Sequence, residues 1–187
     1  DALREQGAEC QFVSRVHEGH MMDYIRSCGY KVHTLSEPCA NFSSAQDVAH
    51  AGWLGADWQT DADQTRQAVA GEALDWLIVD HYALDYRWEL ALRSVSPCII
   101  IIDDIADRRH DCDLLLDQNY GSSSERYLGL VPAECAQLHG PEFALLQPVY
   151  AKRRVERRDR SGKIERVLVY FGGGADPMNL TGMALRA

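Results

Sequence analysis

Trp76-Leu77-Ile78-Val79-Asp80 and Cys98-Ile99-Ile100-Ile101-Ile102-Asp103 decide the fold class. Each is a continuous apolar run that stops on an aspartate. Strands of a parallel sheet covered on both faces read this way, whereas a half-solvated antiparallel strand alternates apolar and polar residues. Between the runs, Asp85 is placed to cap a helix whose Trp88, Ala91, Leu92 and Val95 share one face. Strand, helix and strand in that order make a β-α-β unit, so the sheet is parallel and the class is α/β.

The same alternation extends outward. Gln11-Phe12-Val13-Ser14 reads as a strand, residues 21–28 as a helix ended by Gly29, and Lys31-Val32-His33-Thr34-Leu35 as a half-buried strand. Residues 36–59 are polar and small, and are expected to run over the surface. Thr60 is expected to start a helix with Asp63 as its acidic capping partner, and Ala62, Thr65, Val69 and Ala73 near one face. Leu114-Leu115-Leu116 is a further strand. Residues 152–166 hold eight Lys or Arg against three acids, which reads either as an anion-binding surface or as a solvated helix end and linker. The lack of aromatic interleaving favours the second. Ser161-Gly162 is a natural break, after which Val167-Leu168-Val169-Tyr170-Phe171 starts a new strand.

Composition bounds the function. With 187 residues, 46% hydrophobic and 25% charged, the chain is in the globular range, which excludes collagen, extended disorder and a disulfide miniprotein. The net charge of -9 argues against nucleic acid as a partner. No apolar run approaches the roughly 18 residues of a membrane span. The six cysteines contain no C-x-x-C pair, and their scatter without a signal peptide fits a reduced, cytoplasmic protein. The chain opens on Asp1 and closes on Ala187 inside a helical pattern, so both ends read as cut.

In parallel α/β sheets ligands bind at the carboxyl ends of strands. That rule selects Asp80-His81-Tyr82, Asp103-Asp104 and the loop Gly172-Gly173-Gly174. A strand leading through glycines to a helix near Asn179 lets backbone amides approach a phosphate, although a plain tight turn has the same sequence. Asp80-His81-Tyr82 offers a carboxylate, an imidazole and a phenol for binding a sugar or moving a proton. An anchored turn with a packed histidine is an equal alternative. Asp103, Asp104 and Asp107 could ligate Mg²⁺, but Arg108 and Arg109 follow directly and are placed to neutralise them. His110 with Asp111, Asp113 and Asp117 invites the same metal reading, yet capping or solvation accounts for these acids. His17-Glu18-Gly19-His20 reads either as a catalytic Gly-His pair opening a helix or as a polar loop.

The motifs occur in a recognisable order. Asp75-Trp76-Leu77-Ile78-Val79-Asp80-His81-Tyr82-Ala83-Leu84-Asp85 is followed by Ile102-Asp103-Asp104-Ile105-Ala106-Asp107-Arg108 and Cys112-Asp113-Leu114-Leu115-Leu116-Asp117-Gln118-Asn119-Tyr120. Gly140-Pro141-Glu142-Phe143-Ala144-Leu145-Leu146 and Phe171-Gly172-Gly173, with Asp176-Pro177 and Asn179-Leu180-Thr181, complete the series. Together they resemble the UDP-sugar hydrolase family of pseudaminic acid biosynthesis, which removes UDP from UDP-2,4-diacetamido-2,4,6-trideoxy-beta-L-altropyranose.

That resemblance implies a GT-B type architecture of two Rossmann-like domains. Residues 1–158 would be the first domain, and 159–187 the linker and first β-α unit of the nucleotide domain. It implies hydrolysis by water with no metal or other cofactor, and a UDP-sugar as partner. Asp80, His81 and Tyr82 would face the sugar; Gly172, Gly173, Gly174, Asp176 and Asn179 would face the diphosphate. The catalytic histidine of a Gly-x-Gly-His loop would lie upstream of Asp1, leaving the chain with little activity and an exposed strand edge prone to association. Gly19-His20 aligns with a later loop and does not inherit that role. The glycine loop is one residue longer than the family's, and Gln147 stands where an arginine is expected. A related GT-B glycosyltransferase, and a non-catalytic module binding a sugar nucleotide or a partner, are the alternatives.

Overall fold

A computed structural model of the chain describes residues 1–39, 48–156, 162–164, 166–170, 176 and 178–186. These fall into two compact units, Asp1–Leu145 and Leu146–Ala187, divided upstream of the basic window that composition singles out.

The first unit is α/β and Rossmann-like, with every strand pair parallel. After a short helix α1 (Ala2–Glu5), β1 (Gln11–Arg15) pairs with β2 (Lys31–Leu35), and α2 (Met22–Ser27) makes the crossover. The sequence ends α2 as expected, because Gly29 at φ 82° takes the left-handed conformation that reverses the chain. A second sheet has the order β3 (Trp76–Val79), β4 (Cys98–Ile102), β5 (Leu114–Asp117), β6 (Ala136–His139). Helix α4 (Tyr86–Leu92) links β3 to β4, and Asp85 caps it by accepting the Arg87 N–H at 3.0 Å.

One face of this second sheet carries the core. Leu92, Ile99, Ile101 and Leu115 are essentially sealed from solvent and pack with Val79 and Trp88. Each such side chain contributes about 1.5–3 kcal/mol of transfer free energy. The other face differs from the sequence expectation of two covered faces. On β3, Trp76 and Ile78 are 50% and 47% exposed, while Val79 is buried. β3 is the edge of its four-stranded sheet, and α4 lies on the Val79 side, so the run is apolar on both faces but covered on one.

The stretch 36–59 also departs from expectation where it is described. Val48, Ala51 and Leu54 are buried, the last two within a 3-10 turn (Ala51–Leu54), so part of this surface excursion is core. Helix α3 (Trp58–Ala68) begins before Thr60, because Asp57 rather than Thr60 is the cap and accepts the Thr60 N–H at 2.9 Å. Asp63 pairs instead with Arg66 one turn on. Ala62, Thr65 and Val69 are buried as their spacing implies, whereas Ala73 lies beyond the helix and is exposed.

A buried polar joint ties β1 to the helical layer. Arg15, at the end of β1, donates from Nη2 to Asp61 Oδ2 of α3 at 2.6 Å, and Trp88 Nε1 of α4 donates to Asp61 Oδ1 at 2.9 Å.

In the second unit α5 (Pro148–Val155) is exposed throughout and ends in Lys152, Arg153 and Arg154, the charge that a helix carboxyl end favours. The cations of 152–156 therefore sit on a solvated helix end. α6 spans Leu180–Ala184. The strand expected from Val167 is not formed among the described residues: Val167 and Leu168 are exposed and have no pairing partner there, and an unpaired extended segment is not a strand. No helix of the described residues is long and apolar enough to cross a membrane.

Candidate functional site at the carboxyl ends of the strands

The loops leaving β3, β4 and β5 are fastened to one another by side chains. Tyr82 donates its hydroxyl proton to Asp104 Oδ1 at 2.7 Å, and Asn119 Nδ2 donates to the other Asp104 oxygen at 3.1 Å. Arg126 Nη2 donates to the Asp104 carbonyl at 2.9 Å. Asp104 is thus the hinge pin of a three-loop surface. The hydrogen bond to Asp104, then burial, pushes the Tyr82 phenol up to about 12. Tyr82 therefore stays protonated at neutral pH, with its proton committed to Asp104 and its oxygen lone pairs available to a ligand donor.

His81 is set by its own turn. Its Nδ1 accepts the Ala83 N–H at 3.1 Å, which places the ring proton on Nε2. Burial pushes its pKa below the usual value, so the ring is neutral and presents a donor rather than a base. His81 anchors the turn through this contact, which leaves Nε2 as the ring's N–H. Asp80 is exposed at the end of β3.

The acids read as possible Mg²⁺ ligands are occupied by protein donors. Asp103 accepts from Arg108 at 2.7 Å and from the Ala106 amide at 2.9 Å. Asp117 accepts from Tyr127 and from the Asn119 amide, each at 3.1 Å, and pairs with Arg126. Asp111 and Asp113 both hold Arg93, at 2.7 and 2.6 Å, and His110 Nδ1 lies 2.6 Å from Glu89. Among the described residues no three His, Cys, Asp or Glu side chains converge to hold a metal.

Sequence reasoning missed an aromatic group beside this surface. The rings of His50, Trp53 and Tyr82 are mutual neighbours, with centroids 4.6 Å (His50–Trp53), 5.7 Å (His50–Tyr82) and 6.0 Å (Trp53–Tyr82) apart. Trp53 is 59% exposed, a flat apolar face of the kind that stacks on a sugar ring. A tryptophan in an otherwise small and polar stretch was the available signal.

Gly55 lies close by. At φ 72° it packs where a Cβ would meet Pro38 at 2.8 Å and His17 at 2.9 Å, so it ties the end of β1 to the end of β2. An open cleft of about 410 Å³ follows, lined by Val16, His17, His20, Glu37 and Pro38. A slightly larger one, about 450 Å³ around Arg4, Cys10 and Tyr30, is at the amino ends of β1 and β2. Ligands of parallel sheets avoid that end. The His17-Glu18-Gly19-His20 segment is a loop lining the first cleft, and Gly19-His20 does not open a helix directly, since α2 starts at Met22.

In the second unit Gly172, Gly173 and Gly174 lie outside the described residues. Asp176 accepts the Leu180 and Thr181 amides, both at 2.8 Å, and these donors hold its carboxyl below the usual range. The first amides of α6 are thereby satisfied within the chain. Asn179 takes the left-handed conformation at φ 50°, and its side chain fills the space beside Gly182.

No protein-family model matches the chain. A curated relative, the UDP-2,4-diacetamido-2,4,6-trideoxy-beta-L-altropyranose hydrolase of Campylobacter jejuni subsp. jejuni, is 29% identical over 92 residues. The match spans 49% of this chain and 34% of that protein, about a third of the relative's length. That relative carries the name of the family whose motif order this sequence resembles.

Proposed function

We propose that the chain carries the sugar-side scaffold of a nucleotide-sugar hydrolase, one that releases UDP from UDP-2,4-diacetamido-2,4,6-trideoxy-beta-L-altropyranose. The observation that carries this reading is the Tyr82–Asp104–Asn119 tie, which brings three strand-end loops into one polar surface beside the exposed Trp53 ring. Such a surface offers what an amide-bearing sugar needs: a stacking face, a phenol oxygen that accepts, and a neutral His81 that donates. On this reading residues 1–158 form the first Rossmann-like domain and 159–187 open the nucleotide domain. Gly172, Gly173 and Gly174 supply amides to the diphosphate, with Asp176 and Asn179 shaping the turn behind them.

Water activation in the resembled family falls to the histidine of a Gly-x-Gly-His loop. These 187 residues contain no such motif, so the chain by itself is expected to bind the UDP-sugar and turn it over slowly at most. Calorimetric titration with the UDP-sugar and a UDP-release assay test this together. Saturable binding that weakens in Tyr82→Phe, with little UDP released, supports the reading. No binding refutes the substrate assignment, and rapid turnover refutes the assignment of the base.

A further inference from the structure

Two cysteines far apart in sequence meet under the second sheet. Cys112 precedes β5, Cys135 precedes β6, and their sulfurs are 3.5 Å apart with both side chains buried. The Leu114↔Ala136 register sets this distance, because it brings the chain just before each strand alongside the other. Neighbouring strands lie about 4.8 Å apart and advance about 3.3 Å per residue. A one-step offset across such a pair gives a Cα separation of about 6 Å, inside the range a disulfide spans. Neither cysteine belongs to a regular element, and the Ala136 N–H, donating to the Asp113 carbonyl at 2.9 Å, holds the two stretches side by side next to them.

We propose that Cys112 and Cys135 form a reversible disulfide cross-link, with a small peroxide as the oxidant. The two sulfurs share one contact in which either thiol can donate, so ionisation of one is met by the proton of the other. Cys135 is the more exposed of the two, at 8% against 2%, and is the attacking sulfur. Its thiolate attacks a peroxide oxygen, the O–O bond breaks, hydroxide leaves, and Cys135 becomes a sulfenic acid. The Cys112 sulfur then attacks the Cys135 sulfur, the S–O bond breaks, and the departing hydroxide takes up the Cys112 proton as water. Two thiols lose two electrons, and one hydrogen peroxide becomes two waters. Both cysteines are buried, which favours a small oxidant over a bulky thiol disulfide. Nothing here depends on the hydrolase reading.

The bridge would enclose β5 and the loop that carries Asn119, Arg126 and Tyr127, the residues that hold Asp104 and Asp117. Oxidation would therefore stiffen the segment beneath the strand-end surface.

The full chain is treated with hydrogen peroxide, quenched, alkylated with N-ethylmaleimide under denaturing conditions, digested with trypsin and mapped by mass spectrometry. Trypsin cuts after Arg109 and Arg126, so the two cysteines fall on separate peptides. The expected result is a Cys112–Cys135-linked pair, lighter by two hydrogens and released by dithiothreitol, with a melting temperature raised by about 5 °C. Cys28→Ser and Cys39→Ser leave the link intact, and Cys135→Ser abolishes it. If Cys135→Ser does not fold, the map of the two exposed-cysteine variants still decides the matter. The proposal is overturned if Cys112 and Cys135 are both alkylated as in the untreated chain, or if either pairs with another cysteine.

Discussion

Replacing Asp61 by alanine is the most informative single perturbation of the first unit. The carboxylate is buried and shared: one oxygen takes Arg15 at 2.6 Å, the other takes the Trp88 indole at 2.9 Å. Both side chains of the ion pair are about 95% sequestered, at 4% and 5% exposure, so water cannot replace the lost partner. Arg15 keeps a bond to the Ser36 carbonyl at 2.9 Å, while its Nε is already without a hydrogen-bond partner. Stranding a buried charge costs about 3–5 kcal/mol. Leaving the Trp88 N–H unmatched adds about 1 kcal/mol. The sum, about 4–6 kcal/mol, is a large share of the stability of a domain this size and corresponds to a fall of roughly 10–20 °C in melting temperature. Urea unfolding followed by circular dichroism measures it. The charge of Asp61 also raises the pKa of His81, so the variant should lower it further, which histidine NMR resolves. Arg15→Met combined with Asp61→Leu should recover most of the loss, because the stranded charge leaves with its partner. A loss under about 1 kcal/mol in Asp61→Ala, with an unchanged urea slope, refutes the joint as a structural bond between β1 and the helices.

Three further outcomes follow from the same geometry. Tyr82 has a folded pKa of about 12 against an ordinary 10.0, so its contribution to stability is complete below pH 10 and disappears as pH rises toward 12; the late phenolate step at 295 nm should vanish in Tyr82→Phe. The lowered pKa of His81 runs the other way: its neutral form is favoured in the fold, so stability is full above its ordinary value of 6.5 and falls as the ring is forced to protonate in acid, a slope that His81→Asn should flatten in pH-dependent urea titrations. Asp57→Ala removes the cap of α3 and should cost about 1 kcal/mol, and because the hydrogen bonds from Thr60 lower the Asp57 pKa, the difference from the parent should shrink as pH falls through that depressed value.

The fold was legible where apolar runs and caps coincide. Val79, Ile99, Ile101 and Leu115 form the core, and Asp85 caps α4, because burial and capping each leave a local signature. Coverage leaves none: Trp76 and Ile78 belong to an apolar run, yet nothing in that run says whether a second layer exists on their side. The surface reading of 36–59 fails only at Val48, Ala51, Leu54, Gly55 and Ala56 among its described residues, for a related reason. Leu54 packs into a core cluster whose other members, from Ala62 to Cys135, lie later in the chain. At the candidate site, Asp80-His81-Tyr82 and Asp104 were visible from their place after strands. Arg126 and Asn119, which fix Asp104, come from a later loop and carry no local signal. The pairing of Cys112 with Cys135 was hidden in the same way, since only strand register brings them together.

Three of the four tryptophans give the chain optical reporters in distinct settings. Trp88, at 4% exposure with its indole N–H bound to Asp61, should emit blue and resist acrylamide. Trp76, half exposed on the uncovered side of β3, should emit red and be quenched readily. Trp53 stands beside Tyr82 at the strand ends. A sugar nucleotide stacking there would change Trp53 alone, a layer settling over the open sheet face would shift Trp76 to the blue, and loss of the buried joint would release Trp88. Variants that each keep one of these tryptophans therefore report ligand binding, sheet coverage and unfolding separately.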